Sequence, residues 1–568
     1  MAGKTGNQKI IEQFLVDGMD HMFGNPGTVE QGFLDAVAEY PDMKYILTLQ
    51  ESIAVMMGDG YARFTQKPTL VQLHSSPGIG NAVGAVYQAK RGHAPLVVIG
   101  SDAGTQYMNM DAQMANDLVA MMAPVTKFST MALSSKSLLR TVRKAIKIAA
   151  TPPMGPVYVC VPMNILDEIN EEEVFPTCIP STRVTPDDSL IEQAAEWLLA
   201  AQKPMLFIGD GVAYSDAIPE LTQVAELLGA EVYGVDFGDV IMDTSHPLYQ
   251  GTTGHMFGSF SHPITSKGDA NLIVGTYMVP EVFPEEGDIY APEAKVIHFD
   301  LNAYEIAKNH RVDLGVVSDP KLSLQALAAA LEAHMSDEFR TSAANRVKEI
   351  SDAKAKKLAA EFDKDQQQKG KEPLQMSQFA EVLAQKLAKD AIIFDEALTS
   401  SPAITRYIPP AVPGQYFVTR GGSLGVGFPG AIGVKLANMD KTVIGFSGDG
   451  GSMYTIQTLW SAVRHKAGAK FVVCNNGSYK LLQLNIDVYW KERDIKQHDY
   501  PLPFDLSYPA IRFDLLAQSM GVKAVRVEKE EEILPAIEQM LADDEPFLID
   551  LVLEGDHKSD WVKINCSQ

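Results

Sequence analysis

Gly448-Asp449-Gly450 and Asn475-Asn476 place an acid and an amide, Asp449 and Asn476, 27 positions apart. These residue types can hold an oxygen-ligated cation. Asp449 supplies a charged oxygen and Asn476 a neutral one, and the loop after Asn476 supplies a backbone carbonyl, that of Ser478. Such hard donors suit Mg²⁺ or Ca²⁺, with a diphosphate completing the shell. The surrounding glycines let backbone N–H groups approach phosphate oxygens.

The flanking sequence has the elements needed to bring the two residues together. The apolar run Val443-Ile444-Gly445-Phe446 reads as a buried parallel strand that delivers Asp449, and a helix is expected from about 452 to 465. A second run, Phe471-Val472-Val473-Cys474, ends at Asn475. In a strand–helix–strand unit both strand ends lie on one sheet edge, where open α/β sheets bind ligands. Gly-Asp-Gly also occurs at 58–60 and 209–211. The first copy lies in a buried-helix pattern, which makes Asp59 structural. The second follows the strand-like Met205–Ile208 as an ordinary turn. Neither has an Asn pair about 27 residues downstream, the context that gives the motif meaning.

The rest of the chain is consistent with a large α/β protein. At 568 residues it exceeds what one core supports, and three domains of about 180 residues are the natural division. Hydrophobic and charged fractions of 46% and 21% are ordinary for a globular protein. A net charge of −24 with no Lys/Arg stripe argues against nucleic-acid binding. Of the four cysteines, Cys160, Cys178, Cys474 and Cys566, none has zinc or redox spacing, and Cys160 and Cys474 read as buried thiols. With no signal core and no membrane-length apolar segment, a cytoplasmic protein is expected.

Short β-rich runs alternate with helical patterns throughout, the mark of parallel sheets. In the first third the strand candidates are 45–47, 69–73, 96–99 and 157–160. Residues 167–188 read as a linker. A second unit contains strands at 205–208, 231–233, 272–274 and 296–299. The charged stretch 336–375 reads as solvated helix and linker, and the third unit includes strands at 392–394 and 547–552. The expected division is 1–185, 186–345, a helical linker over 346–374, and 375–568.

The 448–478 segment resembles the signature of thiamine-diphosphate (ThDP) enzymes. Phe23-Gly24-Asn25-Pro26-Gly27-Thr28, Leu49-Gln50-Glu51 and Leu73-His74-Ser75 resemble the start of benzoylformate decarboxylase and related 2-oxo-acid decarboxylases. His298-Phe299-Asp300, with Glu305-Ile306 and Asn309, resembles the middle domain of the acetolactate-synthase-like group. The resemblance covers nearly the whole chain. It implies three doubly wound parallel-sheet domains: pyrimidine-binding, middle and diphosphate-binding.

It also implies ThDP and Mg²⁺ as cofactors, with Asp449, Asn476 and Ser478 on the metal. Glu51 matches the carboxylate that activates the aminopyrimidine. Gly422 matches the carbonyl facing its amine, and Leu424 the wedge beneath the bent cofactor. Leu398, Thr399, Gly450, Gly451, Ser452 and Tyr479 fall at diphosphate-side positions. His74 and Thr28 match substrate-handling groups, Thr28 replacing the family's serine. Asn25, Gln113, Leu481 and Leu482 match the substrate pocket. The implied partners are a small 2-oxo acid, an aldehyde and further copies of the chain: at least a dimer, expected as a tetramer, with no nucleic acid or membrane.

The chain departs from the pattern where protons are delivered. Gly275 to Phe283 lacks the second histidine of benzoylformate decarboxylase, and Asp111 to Asn116 lacks the histidine pair of the pyruvate-decarboxylase type. Three readings stand: a 2-oxo-acid decarboxylase with carboligase side activity, a carboligase or C–C lyase of the acetolactate-synthase-like group, and a catalytically silent ThDP-binding scaffold.

Overall fold

The computed structural model describes residues 3–235 and 238–555; Cys566 lies outside them. Three six-stranded sheets organise the chain, and all recorded strand pairs are parallel. Their central strands are short, mostly apolar runs such as Leu96–Gly100 and Ala270–Val274, buried along their whole length. Strands covered by helices on both faces need this continuous apolar character rather than an alternating one.

The first sheet runs, edge to edge, through Lys44–Leu47, His21–Gly24, Thr69–Leu73, Leu96–Gly100, Val157–Cys160 and Phe128–Met131. The third runs through Tyr416–Val418, Ile392–Glu396, Val443–Gly448, Lys470–Asn475, Phe547–Val552 and Lys523–Val527. Numbered within each sheet, both follow the order 2-1-3-4-6-5. The middle sheet is wound differently. Its strands Tyr249–Thr252, Glu231–Gly234, Pro204–Ile208, Ala270–Val274, Lys295–Asp300 and Leu314–Val317 follow the 3-2-1-4-5-6 order of dinucleotide-binding folds.

By internal packing the chain forms two compact units. One comprises the chain up to Ile179, Gln368–Ile408 and the chain from Thr419 onward; the other comprises Pro180–Gln367 with Pro409–Val418. In the first unit, helix Glu51–Thr65 packs on helix Gly427–Ala437. The approach is backbone to backbone. A Cβ at Gly60 would overlap the Gly430 carbonyl, and one at Gly433 the Met57 carbonyl. In the second unit, the 30-residue helix Asp337–Gln366 buries only Ala343 among its residues, in keeping with its charged sequence.

Two local expectations change. The helix expected over 452–465 is broken into Asp449–Ser452 and Thr458–Arg464, with turns between. Paired glycines at 450 and 451 favour a short first turn over a continuous helix. Strands His21–Gly24 and Phe128–Met131 join the first sheet beyond the four expected strands. The buried thiols Cys160 and Cys474 are as expected, and Asp59 lies inside helix Glu51–Thr65 beside Arg63.

Candidate active site

Strands Val443–Gly448 and Lys470–Asn475 are neighbours, with Gly448 opposite Cys474. Their ends therefore emerge together. Asp449 is 4% exposed, and its Oδ1 accepts from the Gly450 N–H at 2.7 Å. Its Oδ2 accepts from the Gly477 N–H at 2.6 Å, which ties the two strand ends directly. Gly477 has φ +65, a conformation that favours glycine, and this turns the loop back toward Asp449. Asn476 Oδ1 accepts from the Ser478 N–H at 3.0 Å and lies 3.3 Å from the Ser478 hydroxyl.

Burial pushes the Asp449 carboxyl up to about 6, against the pull of the N–H groups of Gly450 and Gly477. No cationic side chain pairs with it among the described residues. A buried carboxylate without a counter-charge, met only by backbone N–H groups from the two strand ends, can serve as a charged oxygen donor to a hard divalent cation. Nothing lies within 4 Å of where a Cβ at Gly448 would sit, so the space at this strand end is open. Gly450 lies against the Tyr479 ring, and a Cβ there would overlap it. The Ser452 hydroxyl turns inward and donates to the Gly448 carbonyl at 2.7 Å.

Leu398 and Thr399 belong to the short 3₁₀ turn Leu398–Ser400, at the end of strand Ile392–Glu396 on the same sheet. Leu398 has φ +49, a strained setting for a branched residue of the kind that gathers at functional sites. Gly422 has φ +70 and open space around it, so backbone conformation rather than crowding favours glycine there. Leu424 is half-buried on the same loop. In helix Lys480–Glu492, Leu481 is half-buried and Leu482 is 42% exposed.

The first sheet presents a second group. Glu51 opens helix Glu51–Thr65, whose start is capped by the Gln50 side chain accepting from the Ser52 and Ile53 N–H groups. Glu51 Oε2 accepts from Asn81 Nδ2 at 3.0 Å, and Gly78 lies against its other oxygen. His74 follows strand Thr69–Leu73, and its Nδ1 lies 3.0 Å from Glu30 Oε2. Gly27 packs on that imidazole so closely that a Cβ would overlap it. Asn25 Nδ2 donates to the Thr48 carbonyl at 2.9 Å, and Thr28 is exposed on the same loop. Gln113 is exposed beside Met114, whose carbonyl accepts from the Ser75 and Ser76 hydroxyls at 3.2 and 2.6 Å. Gln113 thus sits near the strand end that carries His74.

Two residues of this group escape sequence reasoning: Glu30 and Asn81. Glu30 is 1% exposed, and burial pushes its carboxyl up while the neighbouring His74 pulls it back. In sequence it is an acid just before helix Gln31–Val37, a common place for one, and its partner is 44 residues away.

Comparison with known proteins places the chain in a family. Models of thiamine pyrophosphate enzymes match in chain order: the N-terminal TPP binding domain over residues 4–121, the central domain over 191–327, and the C-terminal TPP binding domain over 399–551. The chain belongs to the thiamine-diphosphate-dependent enzymes, in the group that contains decarboxylases and acetolactate synthases. It is 27% identical to benzoylformate decarboxylase of Pseudomonas aeruginosa, over 96% of this chain and 98% of that one. It is also 27% identical to a probable acetolactate synthase large subunit of Methanocaldococcus jannaschii, over 97% and 92%. The solved ThDP-dependent 4-hydroxybenzoylformate decarboxylase of Rhodococcus jostii superposes with a TM-score of 0.83 at 26% identity, covering 98% of this chain and all of that one. Decarboxylase and synthase stand at the same identity, so individual residues have to separate the two reactions. No helix among the described residues is long and apolar enough to cross a membrane.

Proposed function

We propose that the protein is a ThDP- and Mg²⁺-dependent lyase that removes CO₂ from a 2-oxo acid without oxidation and releases an aldehyde. The observation that carries this reading is the His74–Glu30 pair. A carboxylate at Nδ1 favours the tautomer protonated there, leaving Nε2 to face the substrate side. The reaction must end in protonation of the product carbon, and a histidine held this way is suited to that step.

Asp449, Asn476 and the Ser478 carbonyl hold the cation, and Leu398, Thr399, Gly450, Gly451 and Ser452 line the diphosphate, with Tyr479 packed beside Gly450. Glu51 would face the aminopyrimidine, with Asn81 Nδ2 donating to one of its oxygens. The Gly422 carbonyl and the Leu424 side chain would border the cofactor. Bound ThDP supplies the nucleophilic carbon and the electron sink. Thr28, Asn25, Gln113, Leu481 and Leu482 orient the oxo acid and cover it. Glu51 and Asp449 of one site come from different copies of the chain, so the smallest active form is a dimer and the expected form a tetramer. Full activity of a monomer at high dilution would contradict that arrangement.

One observation favours carboligation as a second activity. Gln113, an uncharged polar group, occupies the loop where a proton-donating histidine pair would stand in the pyruvate-decarboxylase type. With fewer acids nearby, a second aldehyde competes better with the proton. Turnover of a panel of 2-oxo acids, with and without an acceptor aldehyde, tests both activities. CO₂ released with stoichiometric aldehyde supports the lyase, and mainly 2-hydroxyketone transfers the reading to the carboligase. If ThDP with Mg²⁺ stabilises the protein but permits no turnover, the silent ThDP-binding scaffold remains; if it does neither, the enzyme readings fail.

A further inference from the structure

Glu396 is the last residue of strand Ile392–Glu396 and is 1% exposed. It ends the buried run Ile392-Ile393-Phe394, a costly position for a carboxyl group unless its oxygens are satisfied. They are satisfied by one loop and one neighbouring strand. The Gly425 N–H donates to Oε1, the Gly427 N–H donates to Oε2 at 2.7 Å, and the Ser447 hydroxyl donates to Oε2 at 3.2 Å. No lysine or arginine pairs with it among the described residues. Burial pushes its carboxyl up to about 7, against the pull of these three donors.

Gly425 and Gly427 end the loop that carries Gly422 and Leu424. Gly421, Gly422 and Gly425 all have positive φ, so the free loop has many conformations to lose. Two further bonds hold it. Thr455 Oγ1 donates to the Gly425 carbonyl at 2.6 Å, and Thr419 Oγ1 to the Ser423 carbonyl at 2.7 Å. Ser447 comes two residues before Asp449, and a Cβ at Gly451 would lie 3.2 Å from Glu396 Oε1. One carboxyl group therefore joins the 421–427 loop to the strand end that delivers Asp449.

We propose that Glu396 is a positioning residue that locks the Gly422–Leu424 loop to the Asp449 strand end, presetting the cofactor cradle before ThDP arrives. The proposal rests on the ThDP reading of Gly422, Leu424 and Asp449. An ionised carboxylate that accepts two N–H bonds makes strong, directional contacts, so the variants are compared at pH 8, where Glu396 is charged. Glutamine has the same shape but turns one acceptor into a donor facing an N–H.

The test compares the parent, Glu396→Gln and Glu396→Asp, with Thr455→Val as a milder variant that loosens the same loop and leaves Glu396 in place. In the cofactor-free proteins, amide exchange across 421–426 is expected to quicken about tenfold in Glu396→Gln, while exchange across Val443–Gly448 stays at the parent rate. ThDP affinity in saturating Mg²⁺, read from quenching of intrinsic fluorescence, should weaken about tenfold, and Glu396→Asp should recover part of it. Thr455→Val should give the same pattern at smaller size. Unchanged loop exchange, or exchange that quickens equally across 421–426 and 443–448, overturns the proposal. So does unchanged ThDP affinity in a parent that binds ThDP. A parent that fails to bind ThDP overturns the cofactor reading itself.

Discussion

The first and third sheets share one strand order, 2-1-3-4-6-5, yet the residues at equivalent strand ends differ in kind. After the third strand in chain order, the first sheet presents His74 and the third sheet Asp449. His74 turns to a carboxylate, Glu30, from the loop after the first strand. Asp449 turns to an N–H, that of Gly477, in the loop after the fourth. One edge thus pairs an imidazole with an acid, a combination that moves protons. The other surrounds a lone acid with backbone N–H donors, the setting in which a divalent cation is proposed. A doubly wound sheet fixes where a strand end emerges, and the residue placed there, with its nearest loop, decides which charge the edge handles.

The contrast can be broken most sharply at Asp449. Asp449→Ala should weaken ThDP binding in Mg²⁺ by on the order of 100-fold or more, since two phosphates would face an incomplete shell. Calorimetric titration with ThDP measures this, and parent-like affinity would remove the cation from the third edge. Next in size is Glu51→Gln. Turnover of the best oxo acid should fall about 10³-fold, with ThDP affinity within a few-fold of the parent; steady-state rates at saturating ThDP decide it, and undiminished turnover sinks the assigned role.

Glu30→Gln and His74→Ala should each slow turnover roughly tenfold to a hundredfold without weakening ThDP. Because the two act as one unit, the double variant should be little worse than His74→Ala alone. Fully additive losses would show that Glu30 does not act through His74. The smallest effect concerns pH. Glu396 has a folded value near 7 against an ordinary 4.5, with Asp395 the neighbouring charge that also raises it. A raised acid stabilises the fold below its unfolded value and loses that contribution as pH rises through the folded one. Parent stability in urea, relative to Glu396→Gln, should therefore decline from pH 4.5 to 7 and level off above; a flat difference would mean that Glu396 does not ionise in that range.

Legibility in the sequence followed burial. Thr69–Leu73, Val157–Cys160 and Phe547–Val552 are continuous β-rich runs, and the structure returns them with the same bounds. Phe128–Met131 is only half-buried at a sheet edge, where no face has to be apolar throughout, so its sequence shows no strand pattern. Asp449 and Asn476 were readable as a pair because adjacent parallel strands convert a fixed sequence spacing into proximity. Glu30 and Glu396 were not. Glu30 meets a partner 44 residues away, and Glu396 meets loop N–H groups about 30 residues on, and backbone donors leave no trace in residue type. The only hint was an Asp-Glu pair at the end of an apolar strand, an arrangement that costs free energy unless something there accepts it.

The contact between helices Glu51–Thr65 and Gly427–Ala437 limits how the molecule can move and vary. Peptide planes touch where Gly60 meets Gly430 and Gly433 meets Met57, so a single added methyl would wedge the helices apart. The helix that starts at Glu51 is therefore indexed to the third sheet by main-chain surface, which is the same whatever side chains surround it. Side chains beside the seam can change without altering the spacing that these main-chain contacts set. Any opening needed to admit a substrate has to come from loops such as 111–114 and not from sliding along this seam.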